Sequence, residues 1–297
     1  MYIDCSENFL KVSEKAIRIG EIALCSMLYE VSISPSPGLV SPVSKGAHDD
    51  MDFFTFLKST SSIAYYLPLF VQIGIDYDSD ILKRLRKIGA NAENNMFKAT
   101  GGVNTQKGLL FLIGIICASA GVCVKKAIKI NRFNISRECS YISKDIVKNE
   151  LFNIDKSKKL TSGESIFLKY GILGIRGEVE RGIPTVLEYG LPALEDALKQ
   201  NLHIKDALSH SLINIMTAIE DTTVINRCGI SGLERMKNLA KEAIRLGGMM
   251  TKDGRDYIKY MEDVFVRENI SPGGAADILA VTLFIYELEK EEQCKNN

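Results

Sequence analysis

Several features that mark common protein classes are missing from this 297-residue sequence. Its 37 Lys and Arg residues equal its 37 Asp and Glu residues, which argues against a protein dedicated to binding duplex nucleic acid, because phosphate neutralisation needs surplus cations. It contains no G-x-G-x-x-G and no G-x-x-x-x-G-K-S/T, so the usual α/β nucleotide-binding folds are not expected. The hydrophobic content of 46% with zero net charge excludes a disordered chain.

The cysteines and the N-terminus also lack the signs of a secreted protein. The seven cysteines are an odd number without any C-x-x-C spacing, so they support neither a disulfide framework nor a metal finger. Residues 1–10 carry Asp4 and Glu7 and show no basic-then-apolar signal pattern. We therefore expect reduced thiols and a cytoplasmic location.

No apolar run is long enough for a helix that crosses a bilayer. The longest, residues 109–124, has sixteen residues between Lys107 and Lys125, whereas a transmembrane helix needs about 20. This run predicts a buried core helix rather than a membrane partner.

What the sequence does contain is helical periodicity. Apolar residues recur every three to four positions, which is typical of amphipathic helices. The segments are 9–31, 53–70, 81–97, 208–219, 236–246 and 275–288. Strand-like runs are scarce and no fixed-period repeat is present, so the sequence predicts an all-α fold.

Glycine and proline concentrate in five breaks between the predicted helices. The breaks are residues 34–46, 101–108, 171–192, 227–232 and 271–274. Glycine permits positive φ and close backbone approach, so such loops can present N–H groups to phosphates, and a helix that starts after the loop adds its dipole. Ordinary turns of a helical protein are the alternative for each break.

The first break contains Lys45 near its end and is followed by His48, Asp49, Asp50 and Asp52. One of the aspartates can cap a helix, but three carboxylates in four residues exceed that need. Oxygen clusters of this kind suit Mg²⁺, which binds through one or two carboxylates together with substrate phosphates. His48 changes charge near neutral pH and suits a general acid or base, although a lone histidine is often structural.

The other breaks carry fewer polar groups. Lys107 beside glycines at the start of an apolar helix suggests a phosphate contact, with a capped helix and a solvated lysine as the alternative. Arg176 and Glu178 suit a phosphate and a ribose hydroxyl, or form a surface ion pair of little energy. Further polar or glycine positions are Gly101, Gly102, Asn104, Thr105, Asp221, Arg227, Gly273, Gly274 and Asp277.

Seven blocks of the sequence resemble the triphosphoribosyl-dephospho-CoA synthase family. They are E-V-S-x-x-P-x-P-G-L-V (30–40), G-A-H-x-D-M-D (46–52), G-G-V-N-T-x-K-G (101–108), R-G-E (176–178), G-x-P-T-V (182–186), Y-G-L-P (189–192) and S-P-G-G-x-A-D-x-L-A (271–280). The blocks occur in the family's order without a linker. A single domain over residues 1–297 is therefore expected, with the glycine-rich loops forming a nucleotide pocket.

The resemblance implies a glycosyl transferase that joins ATP and 3′-dephospho-CoA. Adenine is released, and the 5″-triphosphoribosyl group passes to the 2′-hydroxyl of the CoA ribose. The product is the precursor of the prosthetic group of the citrate lyase acyl carrier subunit, and a related branch serves malonate decarboxylase. Enzymes of that acyl carrier pathway are then the expected partners.

This chemistry assigns roles to the polar residues. A carboxylate near C1″ would stabilise the positive charge that forms there, and an acid or base would move protons. The catalytic candidates are His48, Asp50, Glu30 and Glu178. The candidate Mg²⁺ ligands are Asp50, Asp52, Glu93 and Asp221. The candidate substrate contacts are Lys45, Gly101, Gly102, Asn104, Thr105, Lys107, Arg176, Arg227, Gly273 and Gly274.

Six positions depart from the family pattern. Ser36 stands where a lysine is usual, Ser41 where an aspartate is usual and Lys45 where an asparagine is usual. Gln106 stands where a histidine is usual, Cys228 where a glycine is usual and Ala275 where a serine is usual. Two other functions therefore stay open: a relative that uses water as acceptor and acts as an ATP N-glycosidase, and a nucleotide-binding or assembly protein without turnover.

Overall fold

A computed structural model describes residues 2–3, 10–77, 80–155, 157 and 160–294. The helices are α1 (Glu14–Ser32), α2 (Phe53–Ile63), α3 (Tyr66–Ile75), α4 (Ile81–Ala99), α5 (Lys107–Lys125), α6 (Arg132–Ile142), α7 (Ser162–Tyr170), α8 (Gly174–Glu180), α9 (Leu191–Lys199), α10 (Ile204–Ala218), α11 (Thr222–Arg245), α12 (Lys252–Arg267) and α13 (Gly273–Cys294). Short π-helical segments, Lys148–Phe152 and Val186–Gly190, and a 3₁₀ turn, Gly248–Met250, complete the helical part. The prediction of an all-α fold is confirmed; an antiparallel pair of two-residue strands, β1 (Tyr2–Ile3) and β2 (Leu10–Lys11), is the small addition.

Helix α5 lies at the centre of the fold, as predicted for a core helix. It is long and apolar enough to cross a membrane by length and composition, but 78% of that stretch is buried inside the protein. Its closest neighbour is α3. A Cβ on Gly74 would collide with the carbonyl oxygen of Ala118, and one on Gly121 would collide with that of Val71. These glycines therefore allow the two helices to approach closely.

One continuous hydrophobic core runs from Val12 to Leu288. It includes buried residues of α1, α3, α5, α10, α12 and α13, so the N-terminal and C-terminal halves share the same interior. At the expected contribution of about 25 cal/mol per Å² of buried apolar area, such a core is the main source of stability.

Two predicted boundaries were wrong. The segment 53–70 forms two helices, α2 and α3, which meet at Ala64 and Tyr65. Pro68 explains the division, because its ring lacks the N–H that would donate to Ala64 and is tolerated only in a first helical turn. The break at 227–232 is not a loop but a kink inside α11, where Gly229 has φ 70° and ψ −172°.

The first and fifth breaks lie against each other. Gly38 has φ +75°, and a Cβ there would collide with the carbonyl oxygen of Ile270. Ser209 on α10 supports the same loop by donating a hydrogen bond to the Pro35 carbonyl at 2.8 Å. Two sequence blocks more than 220 residues apart, which include His48 and Ser271, are thereby brought to one end of the bundle.

Candidate active site

A cavity of about 570 Å³ opens where several helix ends converge. The end of α1, the first turns of α5, α11 and α13, the short helix α8 and the end of α10 form its wall. Four of the five glycine-marked breaks contribute lining residues; the 227–232 kink does not. The loops that the sequence singled out therefore meet at one concave site, which is the usual form of a small-molecule pocket.

The wall of this cavity is acidic. Its acidic residues are Glu30, Glu178, Glu188, Glu220 and Asp277, and its basic residues are Lys107 and Arg181, with His48 beside them. A phosphorylated ligand would meet more negative than positive charge here. It would need cations in addition to those of the protein.

Glu30 and Asp277 are two carboxylates of this wall with clearly raised pKa values. Neither accepts a hydrogen bond from another residue in the part of the chain that the structure describes. Burial raises the pKa of Glu30 to about 8. Burial also raises the pKa of Asp277 well above its usual value, and the charges of Glu30 and Asp221 raise it further. Asp277 lies against the first turn of α5, where a Cβ on Gly108 would collide with its Oδ2.

Glu178 is a carboxylate in a fixed orientation. It is 7% exposed and accepts hydrogen bonds from the Thr185 backbone N–H at 2.7 Å and the Thr185 hydroxyl at 3.0 Å. Burial raises its pKa, and the two Thr185 hydrogen bonds oppose that rise. Both residues line the cavity. Thr185 of the G-x-P-T-V block therefore orients Glu178 of the R-G-E block.

His48 lies in a polar contact with three other groups. Its Nε2 is 2.8 Å from the Ser271 hydroxyl, and its Nδ1 is 3.4 Å from Arg227 Nη1 and 3.5 Å from Asp50 Oδ1. Burial lowers the pKa of His48, and the Arg227 charge lowers it further, whereas Asp50 opposes the change. The imidazole is therefore neutral near pH 7, which suits a proton acceptor.

Asp221 has a structural position. Its side chain is fully buried and accepts hydrogen bonds from the backbone N–H groups of Thr223, Val224 and Ala275. It thereby caps α11 and α13 at once. Gly273 and Gly274 line the cavity, but the Asp221 carboxylate takes the place at the start of α13 that the sequence assigned to a phosphate.

Several predicted site residues lie outside the cavity wall. Asp52 caps α2 in a reciprocal pair with Thr55. Glu93 pairs with Lys107 at 2.6 Å, and Arg176 pairs with Glu150 at 2.7 Å. The remaining ones outside the lining are Lys45, Asp50, Gly101, Gly102, Asp221 and Arg227.

The glycine pair and the predicted metal ligands also have other positions than expected. Gly101 and Gly102 have φ +66° and +92° and end α4, with the Gly102 N–H bonded to the Phe97 carbonyl, as in a glycine helix cap. Among the described residues, no three His, Cys, Asp or Glu side chains are grouped for a metal ion. Asp50, Asp52, Glu93 and Asp221 therefore do not form one site.

The structure does bring part of the predicted set together. Glu30, His48, Glu178, Asn104, Thr105, Lys107, Gly273 and Gly274 all line the cavity. Residues that the sequence reasoning missed as site residues are Arg181, Thr185, Glu188, Glu220, Ser271 and Asp277. Thr185, Ser271 and Asp277 belong to the family blocks described above, and that position in a block is the sequence feature that could have identified them as site residues. Nothing in the sequence marks Glu188 or Glu220.

Comparisons with known proteins identify the family of this chain. A family model described as ATP:dephospho-CoA triphosphoribosyl transferase matches residues 16–296. The chain belongs to this family. It is a triphosphoribosyl transferase by that membership, and the single-domain architecture fits a match that covers nearly the whole chain.

Relatives of this transferase carry matching names. A probable 2-(5″-triphosphoribosyl)-3′-dephosphocoenzyme-A synthase of Malonomonas rubra is 38% identical over 98% of this chain and 94% of the relative. The 2-(5″-triphosphoribosyl)-3′-dephosphocoenzyme-A synthase of Klebsiella pneumoniae is 34% identical over 88% of this chain and 87% of the relative. Protein CitXG of Leuconostoc mesenteroides subsp. cremoris is 38% identical, and the match covers 58% of that longer protein. No solved structure matches the chain significantly.

The six departures from the pattern of this transferase family differ in position. Gln106 lies in the cavity lining, whereas the other departures, Ser36, Ser41, Lys45, Cys228 and Ala275, lie outside it. The Oε1 of Gln106 accepts hydrogen bonds from the hydroxyls of Ser59 and Thr60, and its Nε2 is buried without a partner among the described residues. Among these departures, only Gln106 changes the wall of the cavity.

Proposed function

We propose that this cavity binds ATP and 3′-dephospho-CoA together and transfers the triphosphoribosyl group to the 2′-hydroxyl of the acceptor ribose, with release of adenine. The observation that carries the assignment of the site is the convergence of residues from all seven family blocks on one cavity. Its wall includes two carboxylates, Glu30 and Asp277, that have raised pKa values and no hydrogen-bond partners among the described residues. Family membership supports the reaction, and the residues that line the cavity support the assignment of its active site.

The acidic wall suits the bond that breaks. When the N-glycosidic bond of ATP lengthens, positive charge builds at C1″, as in other glycosyl transfers. A carboxylate that is already oriented stabilises such charge without reorganisation. Glu178 fits this task because Thr185 holds it on the cavity wall. A neutral imidazole at His48 fits the role of proton acceptor.

The donor set also fits Mg²⁺. Glu30 and Asp277 have raised pKa values and accept no hydrogen bonds in the described part of the chain, so a cation between them would relieve an unfavourable pair. Magnesium commonly binds through one or two carboxylates and completes its shell with phosphate oxygens and water. Glu30 and Asp277 would hold the ion, which would supply the charge that the triphosphate needs in an acidic cavity.

The product would serve the prosthetic group of an acyl carrier protein. Citrate lyase is the recipient that the family resemblance implies, and malonate decarboxylase is the recipient in a related branch. Purified transferase product, supplied to each apo acyl carrier protein with its own attaching enzyme, distinguishes the two by the mass of the modified carrier.

One assay tests the function. The protein is incubated with ATP, Mg²⁺ and 3′-dephospho-CoA, and the mixture is analysed by mass spectrometry. Free adenine with a triphosphoribosylated dephospho-CoA adduct is expected. Adenine without the adduct would instead indicate an N-glycosidase, and binding of ATP without adenine would indicate a non-catalytic protein.

Variants then test the site. Glu30→Gln and Asp277→Asn keep the side-chain size but remove the charge, and we expect each to lose Mg²⁺-dependent adenine release. Glu138→Gln is the matched control, because Glu138 is a buried carboxylate that pairs with Lys126 and Arg137 and lies outside the cavity lining. Equal activity of all three variants would contradict the assignment of Glu30 and Asp277.

A further inference from the structure

His48 and Ser271 form a direct contact that the sequence did not suggest. His48 in the G-A-H block and Ser271 in the S-P-G-G block are 223 residues apart in sequence, yet His48 Nε2 and Ser271 Oγ are 2.8 Å from each other. Both residues line the cavity. Ser271 is 1% exposed, so its hydroxyl is shielded from bulk water. A serine hydroxyl in contact with an imidazole at a binding cavity is a pair through which a proton can move.

The surroundings of His48 keep its ring in place. Arg227, on α11, donates to the Ala47 carbonyl and to the Asn269 side chain, which flank His48 and Ser271 in sequence. The charged groups that face the imidazole are Arg227 from α11 and Asp49 and Asp50 from its own loop. The cation disfavours a protonated ring in the free enzyme, while the two aspartates stabilise the ring once it has accepted a proton.

The two neighbours of Nδ1 correspond to opposite tautomers. Arg227 can only donate to Nδ1, so that contact requires the proton on Nε2. Asp50 can only accept when ionised, so its contact at 3.5 Å requires the proton on Nδ1 and leaves Nε2 free to accept from Ser271. Hydrogen bonds of catalytic groups are often long before substrate binds. Asp50 is in this way a positioning residue that selects the accepting form of His48.

We propose that Ser271 is a catalytic residue that relays the proton of the acceptor 2′-hydroxyl to His48. The inference rests on the proposed function of the cavity. As the bond from the 2′-oxygen to C1″ forms and the bond from C1″ to adenine breaks, the 2′-hydroxyl proton passes to Ser271 Oγ. Ser271 passes its own proton to His48 Nε2. The proton then leaves His48 for the departing adenine, so the products are neutral adenine and the O-glycosidically linked adduct.

A serine suits this place because its hydroxyl can accept one hydrogen bond while it donates another. Alanine at position 271 removes both functions, whereas threonine keeps the hydroxyl. The relay therefore predicts loss of rate with Ser271→Ala and recovery of rate with Ser271→Thr. If Ser271 only packs the loop, the rates of the two variants should follow their thermal stability and not the presence of the hydroxyl.

The decisive experiment is a double-mutant cycle on kcat for adduct formation. Ser271→Ala and His48→Gln should each lower kcat about 100-fold, the lower range for general-base catalysis, with KM for both substrates within about threefold of wild type. The double variant should be no slower than the slower single variant, because the two residues act as one unit. Multiplied effects, near 10⁴-fold, would overturn the relay.

Ser209→Ala is the matched structural control. It also removes a buried hydroxyl and one hydrogen bond, to the Pro35 carbonyl, but it lies outside the cavity lining. We expect its kcat to stay near wild type. If Ser271→Ala loses no more rate than Ser209→Ala at similar thermal stability, the proposal is wrong.

The pH profile provides a second readout. In the wild type, kcat/KM should fall on the acid side with an apparent pKa below 6.5, the ordinary histidine value, because burial and Arg227 lower the pKa of His48. This acid limb should disappear in Ser271→Ala and in His48→Gln. Its persistence in both variants would contradict the relay. A wild-type protein that forms no adduct would refute the proposed function instead, so the two failures are distinct.

Discussion

Replacement of Glu30 by glutamine gives the sharpest test of the acidic cavity. Burial raises the pKa of this carboxyl from 4.5 to about 8. A group whose pKa is raised on folding contributes its full stability below the pKa of the unfolded chain, and that contribution is lost as pH rises through the folded pKa. The window for Glu30 is therefore pH 4.5 to about 8, and stability falls with rising pH within it.

The magnitude follows from the same shift. One pKa unit corresponds to about 1.4 kcal/mol, so the free energy of unfolding should fall by up to about 1.4 kcal/mol per pH unit, and by roughly 3–5 kcal/mol in total. Glutamine resembles the protonated acid and does not titrate. Glu30→Gln should match the wild type near pH 5 and become more stable than it by a few kcal/mol near pH 8.

Urea denaturation at pH 5, 6, 7 and 8, with EDTA to remove divalent cations, measures this difference. The control is Glu138→Gln, which removes a carboxylate that is 2% exposed but is paired with Lys126 and Arg137. That variant should retain the wild-type dependence on pH. A difference between wild type and Glu30→Gln that stays constant from pH 5 to pH 8 would refute the reasoning.

Four other substitutions test individual positions. Asp221→Ala removes the acceptor for N–H groups of two helices and should lower the free energy of unfolding by about 2–4 kcal/mol in urea denaturation. Asp52→Ala loses only the α2 cap, so we expect a loss of about 1 kcal/mol and near-normal adenine release. Gly108→Ala places a methyl group against Asp277 Oδ2 and should slow adenine release about 100-fold without loss of helicity by circular dichroism. Asp50→Ala should slow adenine release by up to about 100-fold, the effect expected for His48→Gln, while the melting temperature stays unchanged because the Asp50 side chain is 62% exposed; a near-normal rate would exclude its role with His48.

Most of the fold could be predicted from the sequence because helical periodicity is local. The apolar spacing in residues 81–97 and 275–288 depends only on side chains one turn apart, and helices α4 and α13 contain these segments. The errors arose where one residue changes the backbone. Pro68 divides a continuous apolar pattern into α2 and α3, and Gly229 bends α11 where glycine suggested a loop.

The candidate site was predictable only in part, because a carboxylate looks the same in sequence whether it caps a helix or faces a cavity. Asp52 and Asp221 were predicted as metal ligands, but their oxygens accept hydrogen bonds from helix N–H groups. Asp277 has no such donors among the described residues and, unlike Asp52 and Asp221, it lines the cavity. The difference depends on where α11, α13 and α5 begin in space. Spacing along the chain cannot give that information.

The balance of charge connects the cavity with its chemistry. A net charge of zero conceals a local excess, because five carboxylates line the cavity against Lys107 and Arg181. The same carboxylates favour a ribose carbon that becomes positive and repel the triphosphate attached to it. If the wall were basic, phosphate binding would improve but the cationic carbon would be destabilised. In the proposed function, a divalent ion bound to the phosphates would separate the two requirements. Glu30 and Asp277 would hold the ion, and Glu178 would act on the sugar.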